Sequence, residues 1–452
     1  MKNLQSRTTP LSELVPGGAH TYSRGNDQFP ENAPGLLVRA KGAYVWGENK
    51  VKFLDYGMAL RSVTIGYADR RVNREAVRAI GLGNNLTRPS VIEHQAAERV
   101  IDLIPSVDMV KFAKNGSNVV TASVKLARAF TGKKYIAVAR SHPFFSFDDW
   151  FIGTTSMQRG VPEEHSSLTL QFEFNDPKSL ALLFETYPGQ IAGVLMEPAT
   201  GGEEPAIIHN LETKCEVSTC DCSENFLQHA KSLCEKNGAL LILDEMITGF
   251  RWNNPGAHVK YDVDPDLVTY GKAISNGFSV AFLGGKREIM NIAGIDNPGQ
   301  ERVFLLSSTH GAEMSSLAAM IESLKIVTKE NVVGHLHDYG GQLKSAFNEI
   351  AGSFGVEASV IMRGADCSPV IEFRDPVGKP DPMLRTLFMQ EMIYHGVMMP
   401  WVSLSASHGE KELKTTKRAL EKTFSILKEA LATEVSGYLI GPPVQPVFRK
   451  FN

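Results

Sequence analysis

Three short stretches of this chain hold residue types whose spacing can do chemistry, and the first is built on a carboxylate. Leu240-Leu241-Ile242-Leu243 is apolar at every position and runs directly into Asp244 and Glu245. Consecutive apolar positions suit a strand buried on both faces. A carboxylate at its end lies at the carboxyl edge of a sheet, where open α/β sheets bind ligands. Asp244 can hold a charged partner there. The same pattern fits the magnesium-binding strand of an ATPase, but that enzyme also needs a phosphate loop, G-x-x-x-x-G-K-[ST]. The nearest segment, Gly284-Gly285-Lys286-Arg287, has Val280 in place of the first glycine and Arg287 in place of the hydroxyl residue. The ATPase is set aside.

The second stretch is Leu267-Val268-Thr269-Tyr270-Gly271-Lys272-Ala273-Ile274-Ser275-Asn276-Gly277, a short apolar run that breaks into a Gly-Lys turn. Most lysines decorate solvated faces. Gly271 and Gly277 let the backbone crowd a ligand, however, and desolvation lowers an amine's pKa so that it can attack a carbonyl. The third stretch, Lys114-Asn115-Gly116-Ser117-Asn118, precedes a helical pattern. The free N–H groups of a first helical turn with the Ser117 hydroxyl make an anion site, although an ordinary Asn/Ser helix cap reads the same way. A phosphate cradle, an aspartate at a strand end and a lysine in a Gly-flanked turn are together the parts that hold pyridoxal 5'-phosphate. In such a site lysine forms the Schiff base, and a carboxylate keeps the pyridine nitrogen protonated.

These parts need a scaffold. Tyr135 to Ala139, Ile191 to Met196, Ala239 to Leu243 and Val280 to Leu283 are short apolar runs alternating with helical patterns, which predicts a largely parallel sheet flanked by helices. From Asn118 to Phe130, Asn118, Thr121, Lys125 and Arg128 fall on one stripe and Val120, Val124 and Ala127 on another, so a helix with one buried face is expected. After about residue 325 the pattern shifts to longer charged helices such as Leu413 to Leu431 around short strands such as Val370 to Phe373. A second, smaller α+β unit follows from that shift.

The chain has 452 residues, 43% hydrophobic and 21% charged, with a formal net charge of −3, which excludes disorder, collagen and coiled coil. The charges form no long runs of one sign, so neither nucleic acid nor an anionic membrane surface is an expected partner. A small molecule is. No segment is apolar for long enough to span a bilayer, and the first residues lack a signal-peptide core, so the expected compartment is cytoplasmic. Cys215, Cys220, Cys222, Cys234 and Cys367 do not make a disulfide framework. Four of them cluster near His229, where soft metal ligation is one reading and reduced surface thiols the other.

Asp244-Glu245-Met246-Ile247-Thr248-Gly249-Phe250-Arg251 resembles the D-E-V-x-T-G-F-R signature of class III (ω-type) aminotransferases, with the lysine turn following as in that family. Val15 to Arg24, Lys114 to Ser117 and Ser308 to Glu313 are similar to glutamate-1-semialdehyde 2,1-aminomutase and its relatives. The resemblance implies an α/β, type I pyridoxal-phosphate fold with a mostly parallel central sheet. It places a large cofactor-binding domain at 61-325 and a small domain at 1-60 and 326-452. It also implies a homodimer with shared active sites, an amino donor and a carbonyl acceptor.

By the same resemblance Lys272 carries the cofactor, Asp244 meets the pyridine nitrogen, and Met246 replaces the family's valine under the ring. Gly116 and Ser117 bind phosphate, Thr309 reaches the phosphate of the neighbouring subunit, and Arg24 takes a substrate carboxylate. The family's Tyr-His-Gly segment reads Ser141-His142-Pro143-Phe144-Phe145-Ser146, so either Phe144 or Phe145 stacks on the cofactor. Glu197, before Pro198, either orients groups near the ring or caps a neighbouring backbone. No metal is expected at the active site. The function implied is an aminotransferase or aminomutase acting on a small carboxylate or carbonyl substrate of a biosynthetic pathway. The same residues also serve a lyase that eliminates ammonia. A silent scaffold would have lost Lys272 or Asp244, and both are present.

Overall fold

The computed structural model describes residues 9–209, 213–214 and 223–451. The described chain divides into two compact units, one made of Ala59–His337 and the other of the residues up to Met58 with those from Asp338 onward.

The first unit is built on seven strands: β1 (Met109–Ala113), β2 (Tyr135–Ala139), β3 (Thr169–Phe172), β4 (Ile191–Met196), β5 (Leu240–Asp244), β6 (Leu267–Tyr270) and β7 (Ala281–Gly285). Their order across the sheet is β1-β7-β6-β5-β4-β2-β3. Every residue of β4, β5, β6 and β7 is buried, which is why these strands read as unbroken apolar runs. The pairs β5–β6, β5–β4, β4–β2 and β2–β3 are parallel. β7 runs antiparallel to both of its neighbours. The cause is its connection: a parallel neighbour requires a long crossover, whereas β6 and β7 are joined by a segment whose only regular structure is the short turn Lys272–Ser275. The chemistry-bearing lysine therefore sits in a tight reversal.

The expected helix is present as Gly116–Thr131 and starts earlier than its apolar stripe suggests. Asn115 caps it by accepting the Asn118 N–H at 3.0 Å, so Gly116 and Ser117 occupy the first turn. Val119, Val120, Val124, Leu126 and Ala127 bury its inner face within the same apolar cluster as Ile136, Val138, Leu195 and Ile242. This contact fixes the helix start against the carboxyl edge of the sheet.

In the second unit Leu37–Lys41, Tyr44–Gly47 and Lys52–Asp55 form an antiparallel set, extended by Val397–Met398 parallel to Lys52–Asp55. Val370–Phe373 pairs antiparallel with Val360–Arg363, and the helices Pro382–Tyr394 and Glu410–Ala432 supply the charged periodic stretches. Cys215, Cys220 and Cys222 lie outside the described residues. Cys234 is buried in the helix Phe226–Lys236, where burial pushes its thiol well above the usual range. No described helix is long and apolar enough to cross a membrane.

Candidate active site

Asp244 is the last residue of β5 and is 3% exposed. Its Oδ1 accepts the Met246 N–H at 3.0 Å and the Thr269 hydroxyl at 2.8 Å. Thr269 stands opposite Asp244 in the β5–β6 register, so the sheet itself supplies this orienting donor. Oδ2 accepts from no described residue and remains open to a ligand. Burial raises the carboxyl to about 6, against the opposing pull of Lys272, Thr269 and Met246. Hydrogen bonds to a charged group contribute about 1.5–3 kcal/mol each, enough to keep Asp244 oriented.

Lys272 opens the turn after β6 in a left-handed backbone, φ 45°, and keeps an open side in an otherwise buried segment. Burial lowers its pKa, and the negative charges of Asp244 and Glu197 oppose that shift. The turn is anchored by Asn276, whose Oδ1 accepts the N–H groups of Ile65 and Gly66 and whose Nδ2 donates to the Gly66 carbonyl. Asn276 and Gly277 both have positive φ, at 48° and 96°, which explains an asparagine and a glycine there.

Glu197 follows β4 and is 3% exposed. Burial and then Asp244 push its carboxyl up to about 8, while Lys272 and Arg61 pull it down. Its N–H donates to His142 Nδ1 at 2.9 Å, so the proton of His142 sits on Nε2. Burial holds His142 neutral, at about 3, and its Nε2 has no partner among the described residues.

Met246, 7% exposed, lies between two glycines. A Cβ on Gly116 would stand 3.0 Å from its sulfur, and one on Gly271 only 2.6 Å. The glycine before Lys272 thus admits Met246 and has an extended backbone that other residues also adopt. Gly116 lets the helix start approach the same sulfur. Ser117 is buried, and its hydroxyl accepts the Phe147 N–H at 3.1 Å.

The two phenylalanines separate by burial. Phe145 is 2% exposed and packs into the apolar cluster, with its ring 5.5 Å from that of Phe151. Phe144 is 45% exposed and packs edge-to-face against Phe151, with ring centroids 6.0 Å apart. Phe145 is therefore a core residue, and Phe144 is the more exposed of the two rings.

Asp244, Glu197 and Lys272 act on one another electrostatically, and Met246 joins Gly116 to Gly271. Thr309 is exposed, and its carbonyl accepts from Asn85 at 2.9 Å. Arg24 belongs to the other unit, in the exposed turn Tyr22–Arg24. Thr269, His142 and Arg61 are additions that sequence reasoning did not single out in these roles. Only the pairing of strands brings Thr269 to Asp244. Arg61 has no motif, although a charge in an otherwise apolar and hydroxyl-rich stretch was visible.

Arg61 ends a run of four non-glycine residues with positive φ, Met58, Ala59, Leu60 and Arg61, at 39°, 49°, 61° and 68°. Such backbone costs about 1–2 kcal/mol per residue. Arg251, from the signature segment, holds it by donating from Nη2 to the Arg61 carbonyl at 2.8 Å and to Thr64 Oγ1 at 3.2 Å, and from Nη1 to the Ile247 carbonyl at 2.8 Å.

The donor set fits pyridoxal phosphate. It offers an unpartnered carboxylate oxygen for a protonated ring nitrogen, a lysine of lowered pKa for an aldehyde, and a glycine-opened helix start for a phosphate. Residues 27–431 match the family described as Aminotransferase class-III. Over 413 residues the chain is 27% identical to the glutamate-1-semialdehyde 2,1-aminomutase of Sulfurihydrogenibium azorense, covering 87% of this chain and 92% of that one. Glutamate-1-semialdehyde 2,1-aminomutase 2 of Oceanobacillus iheyensis is 25% identical over 435 residues, 92% of this chain and 97% of that protein. The fold is shared with the FumI protein of Sphingopyxis in a PLP form, at a TM-score of 0.81 and 24% identity over 93% of this chain and 95% of that one. The chain belongs to the class-III aminotransferase family and is a pyridoxal 5'-phosphate-dependent aminotransferase or aminomutase.

Proposed function

We propose that this enzyme moves an amino group on a small carboxylate or carbonyl substrate of a biosynthetic route, with Lys272 as its catalytic base and cofactor-carrying residue. The observation that most supports this is the partly open, pKa-lowered Lys272 amine beside Asp244 and Glu197. Lowering an amine's pKa raises its neutral, nucleophilic fraction at neutral pH. Pyridoxal phosphate, when bound, supplies an electron-withdrawing ring that stabilises negative charge at the substrate carbon.

The chain's own residues do the rest. Asp244 Oδ2 would hold a proton at the ring nitrogen. The first-turn amides at Gly116 and Ser117 would bind the phosphate, and Phe144 and Met246 would pack against the ring. Lys272, once released, is placed to take and return the proton of the reacting carbon. Arg24 is assigned to a substrate carboxylate and Thr309 to the phosphate site of a second copy, which makes the working form a homodimer. No observation favours elimination of ammonia over transfer.

Borohydride reduction of the holoenzyme followed by peptide mapping tests the assignment. The pyridoxyl label is expected on Lys272, and a label on another lysine overturns it. Adding an amino donor should convert the cofactor absorbance to that of its amine form.

A further inference from the structure

Glu245 is a fully buried carboxylate next to Asp244 that no step of the reaction uses. Consecutive residues of extended chain project to opposite sides, and the two carboxylates meet different partners. Asp244 is held through Oδ1 alone, whereas both oxygens of Glu245 are taken. Oε1 accepts the N–H and the Nδ1–H of His258, each at 2.8 Å, and Oε2 accepts the Ala257 N–H at 3.1 Å and the Thr248 hydroxyl. A carboxylate only accepts, so the proton of this imidazole sits on Nδ1.

His258 is itself buried, and neighbours on both ring nitrogens fix its orientation. Nε2 stands 3.4 Å from the Ser106 hydroxyl, and the Tyr270 hydroxyl lies 3.5 Å from Nδ1. Gly256 makes room for this crowding: a Cβ there would stand 2.5 Å from the Tyr270 hydroxyl and 2.6 Å from Glu245 Oε1. Tyr270 ends β6, the strand that delivers Lys272. The backbone carries the restraint to Asp244. The Glu245 N–H donates to the Thr269 carbonyl at 2.9 Å, and the Thr269 hydroxyl donates to Asp244 Oδ1 at 2.8 Å. The peptide joining the two carboxylates is therefore pinned by Thr269 and, through the Glu245 side chain, by His258.

We propose that His258 is a positioning residue of the reaction: by holding Glu245 it fixes the carboxyl end of β5, and with it the direction in which Asp244 meets the cofactor. The proposal rests on the reading of Asp244 and Lys272 above. A group misplaced by about 1 Å can cost on the order of 100-fold in rate, so a restraint one residue away from Asp244 acts on turnover without touching substrate.

Visible circular dichroism of the holoenzyme, which reads the orientation of the bound ring, tests it with variants that divide the contacts of His258. Asparagine places an amide N–H near Nδ1 and keeps the donor to Glu245, whereas glutamine reaches toward Nε2 and keeps the neighbour Ser106. At full occupancy His258→Gln should reduce the cofactor signal by about half, with kcat lowered roughly 10- to 100-fold and KM little changed. The Kd of pyridoxal phosphate for the cofactor-free protein should rise roughly 10-fold. His258→Asn should keep most of all three properties. In an Asp244→Asn background, adding His258→Gln should change the signal little further, because the two residues act as one unit. A signal and Kd unmoved by His258→Gln overturn the proposal, as do equal losses in the asparagine variant or losses that add in the double variant. Each of these reduces Glu245 and His258 to a cap of the short helix Ala257–Lys260. If His258→Gln does not fold, Glu245→Gln, which replaces one accepting oxygen by a donor, is read in the same way. Borohydride labelling of the same samples separates the two readings: wild type without a label on Lys272 rejects the assignment of Lys272, and labelled wild type with an unmoved signal in His258→Gln rejects His258 alone.

Discussion

Glu197 and Asp244 are two buried carboxyl groups with unequal surroundings, and the inequality sets what each can do. Asp244 has two donors on Oδ1, so its charged form is partly supported and its pKa reaches only about 6. No described donor offsets the burial of the Glu197 side chain, and the nearby Asp244 charge raises it further, to about 8. The folded pKa of Glu197 thus lies above its unfolded value. Its contribution to stability is whole below the usual carboxylate range and is lost as the pH rises through about 8. Cofactor-free protein should therefore lose on the order of 2–4 kcal/mol between about pH 5 and 8 that Glu197→Gln does not lose. Thermal melts of both proteins across that range measure the difference. Parallel curves would mean that Glu197 does not titrate there.

Three elements meet at one side chain: the start of the helix Gly116–Thr131, the segment after β5, and the turn after β6. Met246 fills the space left by two missing methyl groups, and the 2.6 Å approach to Gly271 is closer than any Cβ tolerates. Gly271→Ala should destabilise the fold by about 1–3 kcal/mol, the range for overpacking, and displace Lys272 with it. Because the clash is with the methionine sulfur, Met246→Val should recover most of that loss. Denaturant unfolding of the two single variants and the double variant gives the coupling directly, and additive losses would show that Gly271 is needed for another reason. The apolar runs forming β2 and β4 were legible residue for residue, since burial on both faces leaves no polar position to blur them. The direction of β7 was not legible, because an apolar run carries no sign of which way it travels.

At the scale of the whole molecule, Thr309 is exposed in the single chain, which is the condition for reaching a second copy. If it completes the partner's phosphate site, cofactor binding and association are linked, and whatever binds only the assembled state stabilises it. Removing pyridoxal phosphate should weaken self-association in sedimentation, and Thr309→Val should do the same to the holoenzyme. A monomer with undiminished cofactor affinity would remove Thr309 from the site.

The turn at Lys272, the strand end at Asp244 and the helix start at Gly116–Ser117 were legible in sequence because each stands in a local signal: flanking glycines, an apolar run ending in a carboxylate, a helix cap. The parallel core could likewise be read from runs of apolar residues. What tertiary structure alone decided concerns partners far apart in the chain. Thr269 meets Asp244 only through the β5–β6 register, and His142 meets Glu197 through the packing of the segments after β2 and β4. Arg61 is held by Arg251 across a long stretch of sequence. Burial also separated Phe144 from Phe145, two adjacent residues of identical type. Local patterns encode backbone conformation and the side of an element that faces inward. They do not encode which distant side chain that packing will place within hydrogen-bonding distance.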